Sequence, residues 1–334
     1  MSYLTEDKLA ILGAAGAIGS NMVQTALTMG LTPNLAMYDP YEPGLQGAAE
    51  EMYHCAFPGA RVSWTADIRH ALQDASYVIS SGGAPRKEGM TREDLLKGNS
   101  EIAAQLGKDI RSCCPQARFV VIIFNPADIT GLTTLIYSGL PAGHVATLAA
   151  LDSTRLQTAL SQHFAIPQER VTGCRTYGGH GESMAVFAST CRIDGRPLSD
   201  LIGSSQLPDD KWAEIRQHVR QGGKKIIQLR GRSSFQSPAH QSLLMVKAVM
   251  DGRGYPWPCG TYVDSDRHGF NKIMMAMETS VGSDGLSWKM PQGTDSELAD
   301  LRDSYQHLVK LRDEVVKMGV LPPLEDWSSI NSNL

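Results

Sequence analysis

The sequence predicts an α/β protein in which an N-terminal doubly wound parallel sheet precedes a C-terminal α+β domain. Short apolar runs bounded by turn residues alternate with longer segments of helical period, the pattern of βα units. The first apolar run leads straight into a glycine loop. After about Ala150 the alternation weakens. The 334 residues also exceed the roughly 250 to 300 at which single cores stop growing, so the chain divides at about residue 150 into units 1–150 and 151–334.

In chain order, the predicted strands are Leu9 to Leu12, Leu35 to Tyr38, Tyr77 to Ser80, Phe119 to Phe124 and Val145 to Leu148. The clearest helix runs from Thr91 to about Cys113, with Leu95, Leu96, Ile102, Ala103, Leu106 and Ile110 on one stripe and Pro115 closing it. Beyond residue 150 the pattern predicts a helix from Ser153 to Phe164 and hairpin-like strands from Met184 to Ile193. Long helices follow from Ser237 to Asp251 and from Asp295 to Met318.

Lysine and arginine total 31 against 35 acidic residues, a net charge of −4, which leaves no basic excess for a phosphate backbone. Nucleic acid is not an expected partner. The six cysteines lack metal-site or disulfide spacing and read as reduced thiols of a cytoplasmic chain with no metal site. The first residues, acidic and then glycine-rich, fit neither a secretory nor a transit leader. No apolar stretch approaches the ~20 residues of a membrane span.

The first strand runs into Gly13, Ala14, Ala15, Gly16, Ala17, Ile18 and Gly19, then a helical segment. Glycines let a backbone approach a pyrophosphate, whose charge is received by the N–H groups and dipole of the following helix. Such a turn also occurs for packing alone. Asp39 strengthens the nucleotide reading, because it ends the second strand twenty residues past Gly19, where a carboxylate accepts both hydroxyls of an adenosine ribose and repels a 2′-phosphate. An ordinary strand-ending turn at Asp39-Pro40 is the plain alternative; taken together, loop and carboxylate predict a Rossmann unit that takes NAD. Ser81, Gly82, Asn99, Ile123 and Asn125 belong to the same crevice, beyond the carboxyl ends of the strands.

A second set of residues suits proton and anion chemistry. His180 lies between glycines in Tyr177-Gly178-Gly179-His180-Gly181, which would leave its imidazole exposed for proton transfer near neutral pH. Asp152 and Arg155 stand three apart at a helix start and share a face. A capping aspartate beside a solvated arginine is the plain alternative. The functional one gives Asp152 to His180 and Arg155 to a substrate carboxylate, which a guanidinium binds through two parallel hydrogen bonds. Residues 82–92 hold three glycines, a proline, Arg86 and Arg92; they read as a charged surface loop or as a lid that closes over a ligand and expels water. Three arginines are one more than a carboxylate and a carbonyl require, and a second carboxylate would explain the third.

GAAGAIG with Asp39, APRKEGMTREDLL, IIFNPAD, LDSTR and GGHG stand in the order and spacing of the malate and lactate dehydrogenase superfamily, and the chain resembles its malate branch over residues of about 8 to 320. The resemblance implies reversible hydride transfer between malate and NAD, giving oxaloacetate and NADH. It implies His180 as acid/base, Asp152 as the carboxylate that orients it and Arg155 as the clamp on the carboxylate beside the reacting carbon. Arg92 would polarise the carbonyl, and Arg86 would take the distal carboxylate where lactate enzymes usually have glutamine. Asn125 would touch nicotinamide and substrate, Asp39 the ribose and Asn99 the cofactor. It further implies a homodimer or homotetramer.

Two departures stand out. Ala17 replaces a common glycine, and the stretch GRSSFQSPA places Ser237, beside Pro238, as the small pocket residue. Alternatives are a dehydrogenase of lactate or another 2-hydroxy acid, a non-catalytic NAD sensor, and a related metal-dependent glycosidase. The last would need a cysteine and histidine pair at the site; Cys174 lies six residues before His180, but the sequence places no second histidine nearby.

Overall fold

The structure is a computed structural model that describes residues 2–84 and 91–334. Along the first half run β1 (Leu9–Leu12), α1 (Ala17–Thr28), β2 (Asn34–Tyr38), α2 (Glu42–His54), β3 (Arg61–Thr65), α3 (Ile68–Leu72), β4 (Tyr77–Ser80), α4 (Arg92–Cys113), β5 (Phe119–Ile122), α5 (Ala127–Ser138) and β6 (Val145–Thr147). These six strands pair in parallel. β1, β4 and β5 are buried at every position, as strands covered on both faces must be. β1 lies between β2 and β4, so the strand order reverses there and opens a crevice at the carboxyl ends, the place where such sheets bind ligands.

The second half begins with α6 (Ala150–Phe164), β7 (Val171–Thr172), β8 (Arg175–Tyr177), β9 (Ala185–Phe187), β10 (Arg192–Ile193) and β11 (Arg196–Pro197). It continues with α7 (Asp209–Arg220), α8 (Gly222–Arg230), α9 (Gln236–Asp251), β12 (Cys259–Ser265), β13 (Phe270–Gly282), β14 (Gly285–Lys289), α10 (Asp295–Lys317) and α11 (Trp327–Ile330). β8 pairs with β9, while β10 pairs with β7 and β11. The expected hairpin over 184–193 is thus two strands that belong to different small sheets.

β12, β13 and β14, absent from the sequence expectations, extend the central sheet in antiparallel fashion, giving the order β14-β13-β12-β6-β5-β4-β1-β2-β3. The join is tight: a Cβ on Gly260 of β12 would sit 1.8 Å from Thr147 Oγ1 of β6. Only glycine fits there. One apolar cluster packs between the sheet and α4, α5 and α10, a second between the opposite face and α1, α2 and α9, and a third fills the lobe of α6, α7 and β7 to β11.

α4 begins one residue later than expected, at Arg92, because Thr91 is its cap. The Thr91 hydroxyl accepts from the Asp94 N–H while the Asp94 carboxylate accepts from the Thr91 N–H, both at 3.0 Å. This reciprocal pair fixes the helix start directly after the loop. Among the described residues no helix is long and apolar enough to cross a membrane.

Candidate active site

Gly13 turns out of β1 with φ +85°, and a Cβ there would meet Ser81 Oγ at 2.8 Å and Gly82 N at 2.9 Å. The glycine lets the turn after β1 touch the turn after β4. Gly19 plays a different part: its missing Cβ would fall 2.2 Å from the Gly13 carbonyl, so α1 can approach the loop closely. Ala17 opens α1, and no side chain caps that helix; Gly16 holds the cap position. Its first N–H groups therefore remain available to an anion.

Asp39 follows β2 and reaches back over this turn. Its carboxylate accepts from the Ala15 N–H at 3.2 Å and from the Tyr41 N–H at 2.9 Å. Gly13, Gly16, Asp39, Ser81 and Gly82 line a cavity of about 530 Å³, whose apolar wall is Ile68, Ile102 and Leu106. Ile102, 38% exposed, is thereby explained as a cavity wall rather than part of the buried stripe of α4. It belongs to the apolar stripe expected of this helix, at the edge that faces the cavity.

A second cavity, of about 410 Å³, is lined by Ile18, Ser81, Ile123, Asn125, Arg155 and His180. Ser81 belongs to both cavities and forms the wall between the nucleotide crevice and the histidine. His180 Nδ1 lies 2.8 Å from Asp152 Oδ2, and Arg155 Nη1 donates to the other oxygen, Asp152 Oδ1, at 2.9 Å. With Nδ1 engaged, Nε2 is the nitrogen left for a ligand. α6 starts at Ala150, and Asp152 stands in its first turn without capping it. The side chain of Asp152 is 2% exposed. Its negative charge, the main cause, holds the His180 pKa above its usual value against the opposing effect of burial.

The histidine loop is clamped rather than free. Gly178 exchanges both backbone hydrogen bonds with Ala276 of β13, at 2.9 and 2.8 Å, and the Gly179 N–H donates to Ser304 Oγ of α10 at 2.8 Å. A Cβ on Gly178 would collide with Ser304 Oγ at 2.3 Å. The glycines thus permit close packing, and His180 is partly buried instead of standing free. The main-chain N–H of His180 donates to Asp128 Oδ2 of α5 at 2.7 Å, a contact the sequence reading did not anticipate.

Other sequence candidates sit differently. Asn99 is buried and its amide is fully engaged, accepting from the Ala84 N–H at 2.8 Å and donating to the carbonyls of Asn125 at 2.7 Å and Ala84 at 3.3 Å. It braces the loop against the end of β5 and lines neither cavity. Arg92 is exposed and lines a separate groove with His307, Lys310 and Glu314. Ser237 is exposed on the first turn of α9 and lines a neighbouring groove, while Ser233, Ser234 and Pro238 line the histidine cavity. Arg86 lies outside the described residues. Lys224 of α8, paired with Glu182, and Arg220 of α7 also line the cavity and had not been predicted. A local signal existed: Gly222 and Gly223 begin α8, and a Cβ on Gly222 would meet Arg155 Cδ at 2.7 Å.

Comparison with known proteins bears directly on this arrangement. Residues 7–147 match the lactate/malate dehydrogenase NAD binding domain, and residues 149–318 match the lactate/malate dehydrogenase alpha/beta C-terminal domain. The chain belongs to the lactate/malate dehydrogenase family. Among curated relatives, malate dehydrogenase of Cereibacter sphaeroides is 31% identical over 290 residues, covering 85% of this chain and 88% of that protein. Malate dehydrogenase of Pelagibacter ubique is 29% identical over 283 residues, covering 84% and 87%.

Among solved structures of this family, Cryptosporidium parvum malate dehydrogenase superimposes with a TM-score of 0.85 at 28% identity, covering 94% of this chain and 100% of that one. The lactate dehydrogenase of the same organism, complexed with lactic acid and nicotinamide adenine dinucleotide, gives 0.83 at 25% identity, covering 93% and 98%. The chain is an NAD-linked dehydrogenase of 2-hydroxy acids. The crevice fits its cofactor: the close Gly13 turn, the uncapped N-terminus of α1 and Asp39 at the end of β2 are what a dinucleotide requires.

Proposed function

We propose that this enzyme interconverts malate and oxaloacetate, with His180 as proton shuttle. The observation that carries the reading is the chain of contacts from Arg155 through Asp152 to His180, at 2.9 and 2.8 Å, in the wall of a cavity that shares Ser81 with the nucleotide crevice. The nicotinamide, when bound, supplies or accepts the hydride. The protein's residues do the rest. Asn125 and Ile123, at the end of β5, flank the place where hydride donor and carbonyl meet, and Arg155 holds the carboxylate next to the reacting carbon. Protonated His180 donates from Nε2 to the oxygen of the keto acid, and in the reverse direction it takes the hydroxyl proton. Asp152 keeps the imidazole oriented and stabilises its charged form. Arg92, at the head of α4, is the residue that would polarise the carbonyl, for which it must turn from the separate groove it lines towards the histidine cavity. The unit 1–150 would hold the nucleotide, and 151–334 the acid/base machinery.

Arg86 carries the choice of malate over lactate, because an arginine facing a methyl group would be an unpaired charge costing several kcal/mol. The test is steady-state kinetics of oxaloacetate against pyruvate, each with NADH and NADPH, for wild type and Arg86→Gln. Oxaloacetate with NADH is the expected pair. The variant is expected to lose about two orders of magnitude or more in kcat/KM for oxaloacetate and to gain relative rate with pyruvate. Unchanged oxaloacetate kinetics would remove the support for malate.

A further inference from the structure

Asp128 has no part in the scheme above, and its environment is unusual. It stands in the first turn of α5, 3% exposed, three residues after Asn125 in the segment that borders the substrate cavity. Oδ2 accepts from the His180 main-chain N–H at 2.7 Å, while Oδ1 is buried with no hydrogen-bond partner. Among the described residues no lysine or arginine pairs with it; the charges that act on it are His180, when protonated, and Asp152. Burial is the main cause that lifts its pKa to about 6. A buried carboxylate with half its bonding capacity unmet is costly to keep, and such costs concentrate where a charge serves the chemistry.

The asymmetry between the two states of His180 shows what the charge can do. With the imidazole neutral, Asp128 faces only the repulsion of Asp152. With the imidazole protonated, the cation has an anion at Nδ1 and a second one beneath its own backbone. Asp128 therefore keeps the proton-donating form populated to higher pH in the reduction of a keto acid, and in the reverse direction, where the imidazole gains its proton, it stabilises the cation that develops. Its hydrogen bond also anchors the backbone of the loop to a carboxylate, beside the clamps made by the Ala276 backbone and the Ser304 hydroxyl.

We propose that Asp128 is a positioning residue for proton transfer: through the His180 main-chain N–H it fixes the imidazole against Asp152, and its carboxylate gives the protonated imidazole a second anion. This rests on His180 being the proton shuttle. Among the described residues, the other charged groups around His180 are Asp152 and Arg155 from α6, together with Glu182, Arg220 of α7 and Lys224 of α8 in the cavity wall. All of them stay in place when only Asp128 is changed.

Asp128→Asn tests the charge, since the amide carbonyl still accepts the His180 N–H. A group whose pKa is raised by folding costs stability above that value, so at neutral pH the variant should melt at the same temperature or higher. NADH affinity, read by fluorescence titration, should hold. The kcat/KM for oxaloacetate should fall about tenfold, and the pH at which it declines on the alkaline side should move down. Asp128→Ala also removes the acceptor and should lose more rate. A variant Asp128→Asn that keeps the wild-type pH limb overturns the proposal, as does one that loses melting temperature and NADH affinity together with that limb unmoved. His180→Asn separates the two ideas: retained activity there would refute the shuttle itself, whereas an inactive His180→Asn beside an unshifted Asp128→Asn refutes only the role of Asp128.

Discussion

At the scale of single residues, the site turns on how one carboxylate is divided. Asp152 gives one oxygen to His180 and the other to Arg155, so the proposed proton shuttle and the proposed substrate clamp are oriented by the same side chain. Because the folded value of His180 is raised, the interaction stabilises the protein fully below about 6.5 and is lost as pH rises through the raised value. The same sign governs catalysis. In the proposed reaction, reduction of oxaloacetate needs the imidazolium and should decline only above that raised value, whereas oxidation of malate needs the neutral ring and should rise through it. Asp152→Asn removes the main cause of the shift. Its pH–rate profile for reduction should break at lower pH, and kcat/KM should drop by about two orders of magnitude. An unmoved break would mean that another group sets the profile.

These polar residues were legible in the sequence because each stands in a short motif of fixed spacing. Asp128 was not, although it lies three residues after Asn125, because its partner is a backbone N–H that leaves no mark on residue type. Ser237 was read one turn away from the serines that line the cavity, since Pro238 and the turn before α9 set a direction that spacing alone does not reveal.

Among the elements, those with a strong period were read almost to the residue. α4, α9 and α10 each begin or end within one position of the expected bound, and β1 and β4 coincide with it. The elements missed have physical reasons. β3 is a marginal strand whose residues are only partly buried or exposed, so it shows no apolar run. β13 carries Met274, Met275 and Met277 in its buried stretch, and methionine lacks the β-branch or ring that marks strands. In the junction of β1 and α1, glycine is dictated by contact rather than by flexibility. Gly19→Ala would drive a Cβ to 2.6 Å from Ala14 Cα as well as onto the Gly13 carbonyl, so the helix must shift away from the loop. NADH affinity should weaken about tenfold or more in a fluorescence titration; unaltered affinity would show that the loop yields without harm.

The whole molecule is organised by a sheet to which both halves contribute. Residue 150 falls just after β6, and β12, more than a hundred residues later, pairs with that strand through Gly260 and Thr147. Gly260→Val would place branched carbon where the Thr147 side chain already sits. Overpacking of this kind costs about 1 to 3 kcal/mol. Calorimetry should show a lowered melting temperature in one transition, since the damaged seam belongs to both halves. Two separated transitions would mean that the halves melt independently.

That seam also decides what the protein hides. β6 and β12 are interior strands only because each covers the other; parted, each would present an unpaired row of N–H and C=O groups, which is a template for joining the wrong chain. A ribosome delivers β6 long before β12 exists. For that interval the nascent nucleotide-binding half carries an open apolar edge, and the late strands Cys259–Ser265 and Phe270–Gly282 act as its cover as much as its continuation.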